Sequence, residues 1–401
     1  MKIIFLIGSV DISGGSYAIY QHAQYASQKG HDVTIAALLP YTFRELAWHP
    51  ATRDLRIMPF DQVGNEVFDM AIATWWKTAL ALHRINAKQY AYFVQSIESR
   101  FYANDPVSLR NLVDSTYALP LPVITVASWV HDYLLKNFGH NCHLVRNGIR
   151  KDLYEATGPS ELARPEGGTP RFLVEGPFGV SFKNVGGTLR LLRKARARDV
   201  WLLTSTDVGW YPAVGRVFSR IPVEKVGPIY RSCDVIVKLS YVEGMFGPPL
   251  EMFHCGGTAV VFNVTGCDEY IIDGQNALVV RSGDERGAVA AVHRLMHEPT
   301  LLAHLKAGAM RTAAGWPSWE ESSAKFLVAL GEILCQPQVT RQTIEEHNRV
   351  AWEKYLGAER TRLQSSPFRN SGHYLMALAR RLPESLKRHL RMVKYLYEGY
   401  L

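Results

Sequence analysis

The chain has 401 residues and few cysteines. Its five, Cys142, Cys233, Cys255, Cys267 and Cys335, are scattered and odd in number, and none are paired with the two-residue spacing of a zinc or redox motif. This gives no sign of a disulfide framework or a structural zinc site, and a reducing compartment is the simpler expectation. Long apolar runs are also missing: none reaches the roughly 18–20 residues that cross a bilayer, so any membrane contact is expected to be peripheral. The opening MKIIFLIG is too short an apolar stretch for a signal peptide and lacks a small-residue cleavage site, so it reads as a buried first strand. Gly8, Gly14 and Gly15 do not have the spacing of a dinucleotide fingerprint, and no Gly-Lys-Ser/Thr follows to make a phosphate loop.

Charge of one sign is scarce through the body of the chain. Lys and Arg number 45 against 37 Asp and Glu, a net of +8. The stretch 359–401 alone holds nine Lys/Arg against three Glu, or +6. The rest is near neutral, which is not the footprint of a nucleic-acid binder. The last part, ESLKRHLRMVKYLYEGYL, sets Leu386, Leu390, Val393 and Leu396 along one side with Lys387, Arg388, Arg391 and Lys394 among them. That pattern fits either a helix on an anionic membrane surface or one packed on the first domain.

What is present is an alternation of strand and helix. KIIFLIG, a helical SYAIYQHAQYASQ and DVTIAALLP form a βαβ unit, the repeating unit of a parallel sheet. Further strands are expected at 69–74, 91–96, 123–128 and 142–148. Residues 155–170, rich in Gly and Pro, read as a linker. The rhythm then restarts with RFLVEG, DVWLLTS, CDVIVKLS, TAVVFN and NALVV. The expected architecture is α/β: two Rossmann-like doubly wound domains, 1–154 and 171–334, facing a cleft, with a basic helical extension over 335–401. Ligands of such sheets bind beyond the carboxyl ends of the strands.

One stretch concentrates candidate chemistry. In YVEGMFGPPLEMFHCGG, Pro248 and Pro249 cannot lie inside a helix but suit its first turn, so a helix is expected to start at Gly247–Pro248. Glu251 then lies in that first turn and Glu243 on the preceding loop. The two carboxylates converge from a loop and a helix start, and the helix start offers free N–H groups to an anion. Gly14 and Gly15 stand in a similar place after the first strand, where a plain strand-to-helix turn is the alternative reading.

The segment from Tyr230 to Val280 resembles the signature region of glycosyltransferase family 4, retaining enzymes of the GT-B fold. Glu243 and Glu251 match its E-x7-E spacing. Gly14-Gly15, VASWVHDYL, VRNGI, Lys183, Glu269 after Gly266, and WPSWEESSAKF match further pieces in order. The resemblance implies a donor nucleotide diphosphate sugar carrying dTDP, UDP or GDP and a glycan or lipid-linked glycan acceptor. It further implies a place in cell-surface polysaccharide biosynthesis. No cofactor, metal or nucleic acid is expected, and the expected location is the cytoplasm, at the inner face of the membrane if the basic tail binds there rather than packing on the first domain.

By the same resemblance, Glu243 and Lys183 form the catalytic pair: Glu243 contacts the donor sugar and Lys183 neutralises the diphosphate. Glu251 holds the ribose, and Glu269, Gly266, Gly247 and Pro248 line the donor pocket. Gly14, Gly15, Gln95 and Glu98 serve the acceptor and diphosphate loop. Two departures stand out. EGMFG replaces the family's EGFG, and Pro177 stands where an Arg is usual. YFVQSIESRFY, with Gln95 and Glu98 in place of a His, is similar to bacterial rhamnosyltransferases. A sugar-nucleotide epimerase and an inactive sugar-nucleotide-binding partner are the rival readings.

Overall fold

The computed structural model of the protein describes residues 1–165, 167 and 169–365. Two parallel sheets dominate it. The first contains β1 (Lys2–Ile7), β2 (Asp32–Ala37), β3 (Arg56–Pro59), β4 (Val67–Ala73), β5 (Asn86–Val94), β6 (Val123–Thr125) and β7 (His143–Leu144) in the order β3-β2-β1-β4-β5-β6-β7. The second contains β8 (Phe172–Glu175), β9 (Val200–Thr204), β10 (Arg216–Ser219), β11 (Val235–Lys238), β12 (Thr258–Phe262) and β13 (Ala277–Val280) in the order β10-β9-β8-β11-β12-β13. Their central strands are apolar almost without interruption because helices cover both faces. Ile3, Ile4, Phe5 and Leu6 have no exposed surface, and neither do Val235 and Ile236. Each sheet reverses its strand order once, between β1 and β4 and between β8 and β11. Such a reversal opens a crevice at the carboxyl ends of the strands.

Several sequence expectations shift in detail. The strand expected over 142–148 pairs only at His143–Leu144. β3 and β10 were not among the expected strands. Both lie at sheet edges and are only partly buried, so their sequences, RIMP and RVFS, lack a clear strand signature. The linker 155–170 is tied to the second unit through Arg164. Its guanidinium donates to the carbonyls of Cys255 and Gly256, at 2.7 and 2.9 Å, capping the exit of helix Gly247–His254.

The chain then returns to the first unit earlier than its rhythm suggests. Helix Trp319–Leu334 begins with a capping box at Ser318 and Glu321 and buries Phe326, Leu330 and Ile333 in the first core. There Phe326 stacks on His22 at 4.2 Å, and Ser323 Oγ lies 3.0 Å from His22 Nδ1. The next helix, Arg341–Ser365, follows it. Asn348 donates to the carbonyls of Ala79 and Leu80 at 3.1 and 3.0 Å, and Ile344 is fully buried. The basic tail over 366–401 lies outside the described residues.

Contacts also cross directly between the units. Trp129 Nε1 donates to the Gly244 carbonyl at 2.8 Å, and Val223 N donates to the Trp48 carbonyl at 3.0 Å. Arg220 pairs with Asp11 at 2.8 Å, and Phe101 stacks on Phe182 with ring centroids 4.6 Å apart. Gly244 sits at a point where only glycine fits, since a Cβ there would meet the Gln95 carbonyl at 2.1 Å.

Candidate active site

A cavity of about 700 Å³ lies between the two units, at the carboxyl ends of both sheets. On its second-unit wall, Lys183 ends a short 3-10 turn after β8, and its Nζ donates to Glu243 Oε2 at 2.7 Å. Glu243 follows β11 and is 5% exposed. The buried Ser240 hydroxyl lies near the carboxylate and helps to hold it ionised. Burial pushes the Glu243 carboxyl up, but the charges of Lys183 and Lys238 outweigh it and hold the group below the usual carboxylate range.

Helix Gly247–His254 starts where the prolines predict, with Pro in its first turn and no side-chain cap. Tyr270 OH donates to the Phe246 carbonyl and fixes that start from below. Gly247 and Pro248 border the cavity, but Gly247–Pro249 offer it no free N–H. Gly247 N donates to the Met245 carbonyl at 3.0 Å, and the two prolines have none. Glu251 also borders the cavity, from beyond the first turn in which the sequence places it. Burial, with help from the Glu175 charge, pushes the Glu251 carboxyl up to about 7, against the pull of the Tyr230 hydroxyl, Lys238 and the Tyr154 hydroxyl. The structure therefore brings Glu243, Lys183, Glu251, Gly247 and Pro248 to one wall.

Gly14, Gly15, Gln95 and Glu98 lie on the opposite wall. Helix Gly14–Gln28 is capped by Ser13, whose hydroxyl accepts from Ser16 N at 3.0 Å. Nothing lies within 4 Å of a Cβ built at Gly14, so that turn of backbone is open to the cavity. Gln95 Nε2 lies 3.4 Å from the Gly15 carbonyl. Glu98 Oε2 accepts from Trp76 N at 2.8 Å, and burial pushes the Glu98 carboxyl up to about 8.

Glu269 and Gly266 are placed differently from the sequence expectation, and neither lines the cavity. Glu269 Oε1 accepts from Ser128 N at 2.5 Å and from the Ser128 hydroxyl, and Oε2 pairs with Arg146 at 3.0 Å. Both oxygens are thus committed to the first unit, at the start of helix Ser128–Phe138, where a carboxylate suits the positive end. Gly266 packs on the Gly244 carbonyl of its own unit, 2.2 Å from where its Cβ would sit, and a Cβ there would also meet Trp129 Nε1 of the first unit at 3.0 Å.

The sequence reading passed over a second pair on the cavity floor. Lys238, the last residue of β11, donates to the Glu175 carbonyl at 3.0 Å and to Glu175 Oε2 at 2.6 Å. The signal was there: a lysine inside the apolar run DVIVKLS and a glutamate closing RFLVEG. Arg220 was also missed. Its φ of 50° is unusual for a side-chain-bearing residue and turns the chain into the cavity wall.

Two facing parallel α/β units with helices returning to the first make the GT-B fold. Solved structures share it. Anabaena HepE in complex with UDP and glucose aligns at a TM-score of 0.65 and 16% identity, over 83% of this chain and 100% of that one. Sucrose-phosphate synthase from Thermosynechococcus elongatus aligns at 0.64 and 14%, over 83% and 99%.

In sequence, residues 215–312 match the model of the family described as glycosyl transferases group 1. The O-antigen biosynthesis protein RfbC of Myxococcus xanthus is 26% identical over 301 residues, 72% of this chain but 23% of that protein. The D-inositol 3-phosphate glycosyltransferase of Stackebrandtia nassauensis is 30% identical over 110 residues, 27% of this chain and 25% of that enzyme. The matches thus span about a quarter of each relative's length.

Proposed function

We propose that the cleft transfers a sugar from a nucleoside diphosphate sugar to a glycan hydroxyl, with retention at the anomeric carbon. The observation that carries this reading is the Lys183–Glu243 pair, with its carboxylate buried, beside a helix start and a second carboxyl, Glu251. A departing diphosphate gains charge in the transition state. Lys183 and the positive end of the helix held beside it supply stabilisation for that charge. The bond from C1 to the diphosphate breaks with its electron pair going to the phosphate oxygen. The acceptor oxygen bonds to C1 on the same face, and its proton passes to that phosphate oxygen. Glu243 takes hydroxyls of the donor sugar and Glu251 those of the ribose. Gly14, Gly15, Gln95 and Glu98 face the acceptor side.

The kinship with an O-antigen biosynthesis protein supports a role in surface polysaccharide assembly, and the UDP-bound neighbour supports a nucleotide-sugar donor. A lipid-linked acceptor at the inner face of the membrane, met by the basic tail, belongs to the same reading. Among the described residues no helix is long and apolar enough to cross a membrane. The test is turnover with a panel of UDP-, dTDP- and GDP-sugars on a lipid-linked glycan, with Glu243→Ala beside the wild type. The proposal expects transfer that Glu243→Ala abolishes. Undiminished kcat/KM in that variant would contradict it.

A further inference from the structure

The floor of the cavity holds three carboxyl groups, Glu175, Glu243 and Glu251, and two ammonium groups, Lys183 and Lys238. The two lysines are not equivalent. The Lys183 side chain is 24% exposed, ends a short turn and has one carboxylate partner, Glu243. The Lys238 side chain is 3% exposed, belongs to a central strand and is held by both the carbonyl and the carboxylate of Glu175. Glu175 closes β8 and Lys238 closes β11, the two strands at which the second sheet reverses its order. The pair therefore sits at the head of the crevice where a ligand of this sheet binds.

This difference matters once a diphosphate arrives. Lys183 can reach a ligand only by giving up some of its hold on Glu243, and Glu243 is too buried for water to replace that cation. An uncompensated buried carboxylate takes up a proton. Lys238 is the other cation whose field reaches Glu243, and it also faces Glu251.

We propose that Lys238 is a positioning residue: anchored by Glu175, it is the fixed cation that keeps Glu243 ionised while Lys183 turns to the diphosphate. The inference rests on the reading of the cavity as a donor site. It divides the work between a movable cation for the ligand and an immovable one for the protein's own carboxylate. Burial lowers the affinity of Lys238 for its proton, but Glu175, Glu243 and Glu251 together more than restore it, so the ammonium persists. The groups facing Glu243 are Lys183 from the turn after β8, Lys238 from β11 and Tyr270 from the loop after β12.

The experiment is a carboxyl-carbon NMR titration of the full ligand-free chain labelled at glutamate, with Glu243→Gln assigning the signal. Lys238→Met is expected to move the Glu243 step upward by about one pH unit or more, as losing a near opposite charge does. Lys238→Arg should bring it back. Should Lys238→Met fail to fold, Lys238→Met combined with Glu175→Gln leaves no unmatched buried charge and carries the same measurement. A Glu243 step that stays in place in either folded variant overturns the proposal. UDP, dTDP and GDP are titrated into the wild type alongside. If none binds, the donor-site reading fails, while the NMR shift still decides the action of Lys238 on Glu243. If one binds, the kcat/KM profile with the matching nucleotide sugar should have its acidic limb moved to higher pH in Lys238→Met and restored in Lys238→Arg.

Discussion

The two walls of the cavity are built from the same kind of sheet but carry opposite chemistry. The second-unit wall gathers Glu175, Lys183, Lys238, Glu243 and Glu251, with Arg220 also on it, around one helix start. The first-unit wall offers Gly14, Gly15, Gln95 and the single carboxyl of Glu98, which burial holds near neutrality at pH 7. A wall of fixed charges suits a diphosphate. A wall of backbone, amide and a protonated carboxyl suits uncharged hydroxyls, to which it can both donate and accept. The difference supports the proposed placing of donor on one side and acceptor on the other.

The hardest way to break that comparison is to remove the charge that meets the diphosphate. Lys183→Ala should lower kcat/KM by roughly 10²–10³-fold, the scale of losing one group aimed at developing charge. Changes on the first-unit wall, such as Gln95→Ala, should instead raise the acceptor KM and leave nucleotide affinity unmoved.

Next in size is Glu251→Gln, which keeps the shape and removes the ionised form. It should weaken nucleoside diphosphate binding by about tenfold above pH 7 and less below it. The sign follows from a carboxyl pushed up to about 7: below that pH the wild type already carries a proton there. Calorimetry at pH 6 and 8.5 checks it.

Glu98→Gln sharpens the other wall. The folded-state pKa of about 8 lies above the ordinary carboxylate value. Stability therefore falls as pH rises from the unfolded value through 8, because the folded state must ionise a buried group. The amide escapes this, so the variant should melt higher than wild type at pH 9, by about 3 °C or more, and equally at pH 5. The smallest effect belongs to Asp11→Asn. Its pair with Arg220 is partly exposed, so its loss should cost about 1 kcal/mol or less. It should nevertheless widen the cleft, a change that small-angle scattering can read.

The same contrast explains what could be read beforehand. The two sheets were legible because central parallel strands are apolar runs, while the edge strands β3 and β10 were not. The helix start at Gly247 was legible because two prolines leave no other place for it. The return of Trp319–Leu334 to the first unit was hidden, since its apolar face would serve either core equally. Glu269 was misplaced because a sequence shows that a carboxylate follows a glycine loop, not which side of the loop it faces. Lys238 was passed over because a lysine at a strand end usually reaches solvent. Only the strand-order reversal between β8 and β11 places it opposite Glu175.

The most direct test of the divided cleft is calorimetric titration of UDP, dTDP and GDP into the wild type, Lys183→Ala and Gln95→Ala. The account predicts that one nucleotide binds the wild type, binds Lys183→Ala at least about tenfold more weakly, and binds Gln95→Ala as well as the wild type. No binding by any of the three, or equal weakening by both substitutions, would contradict it.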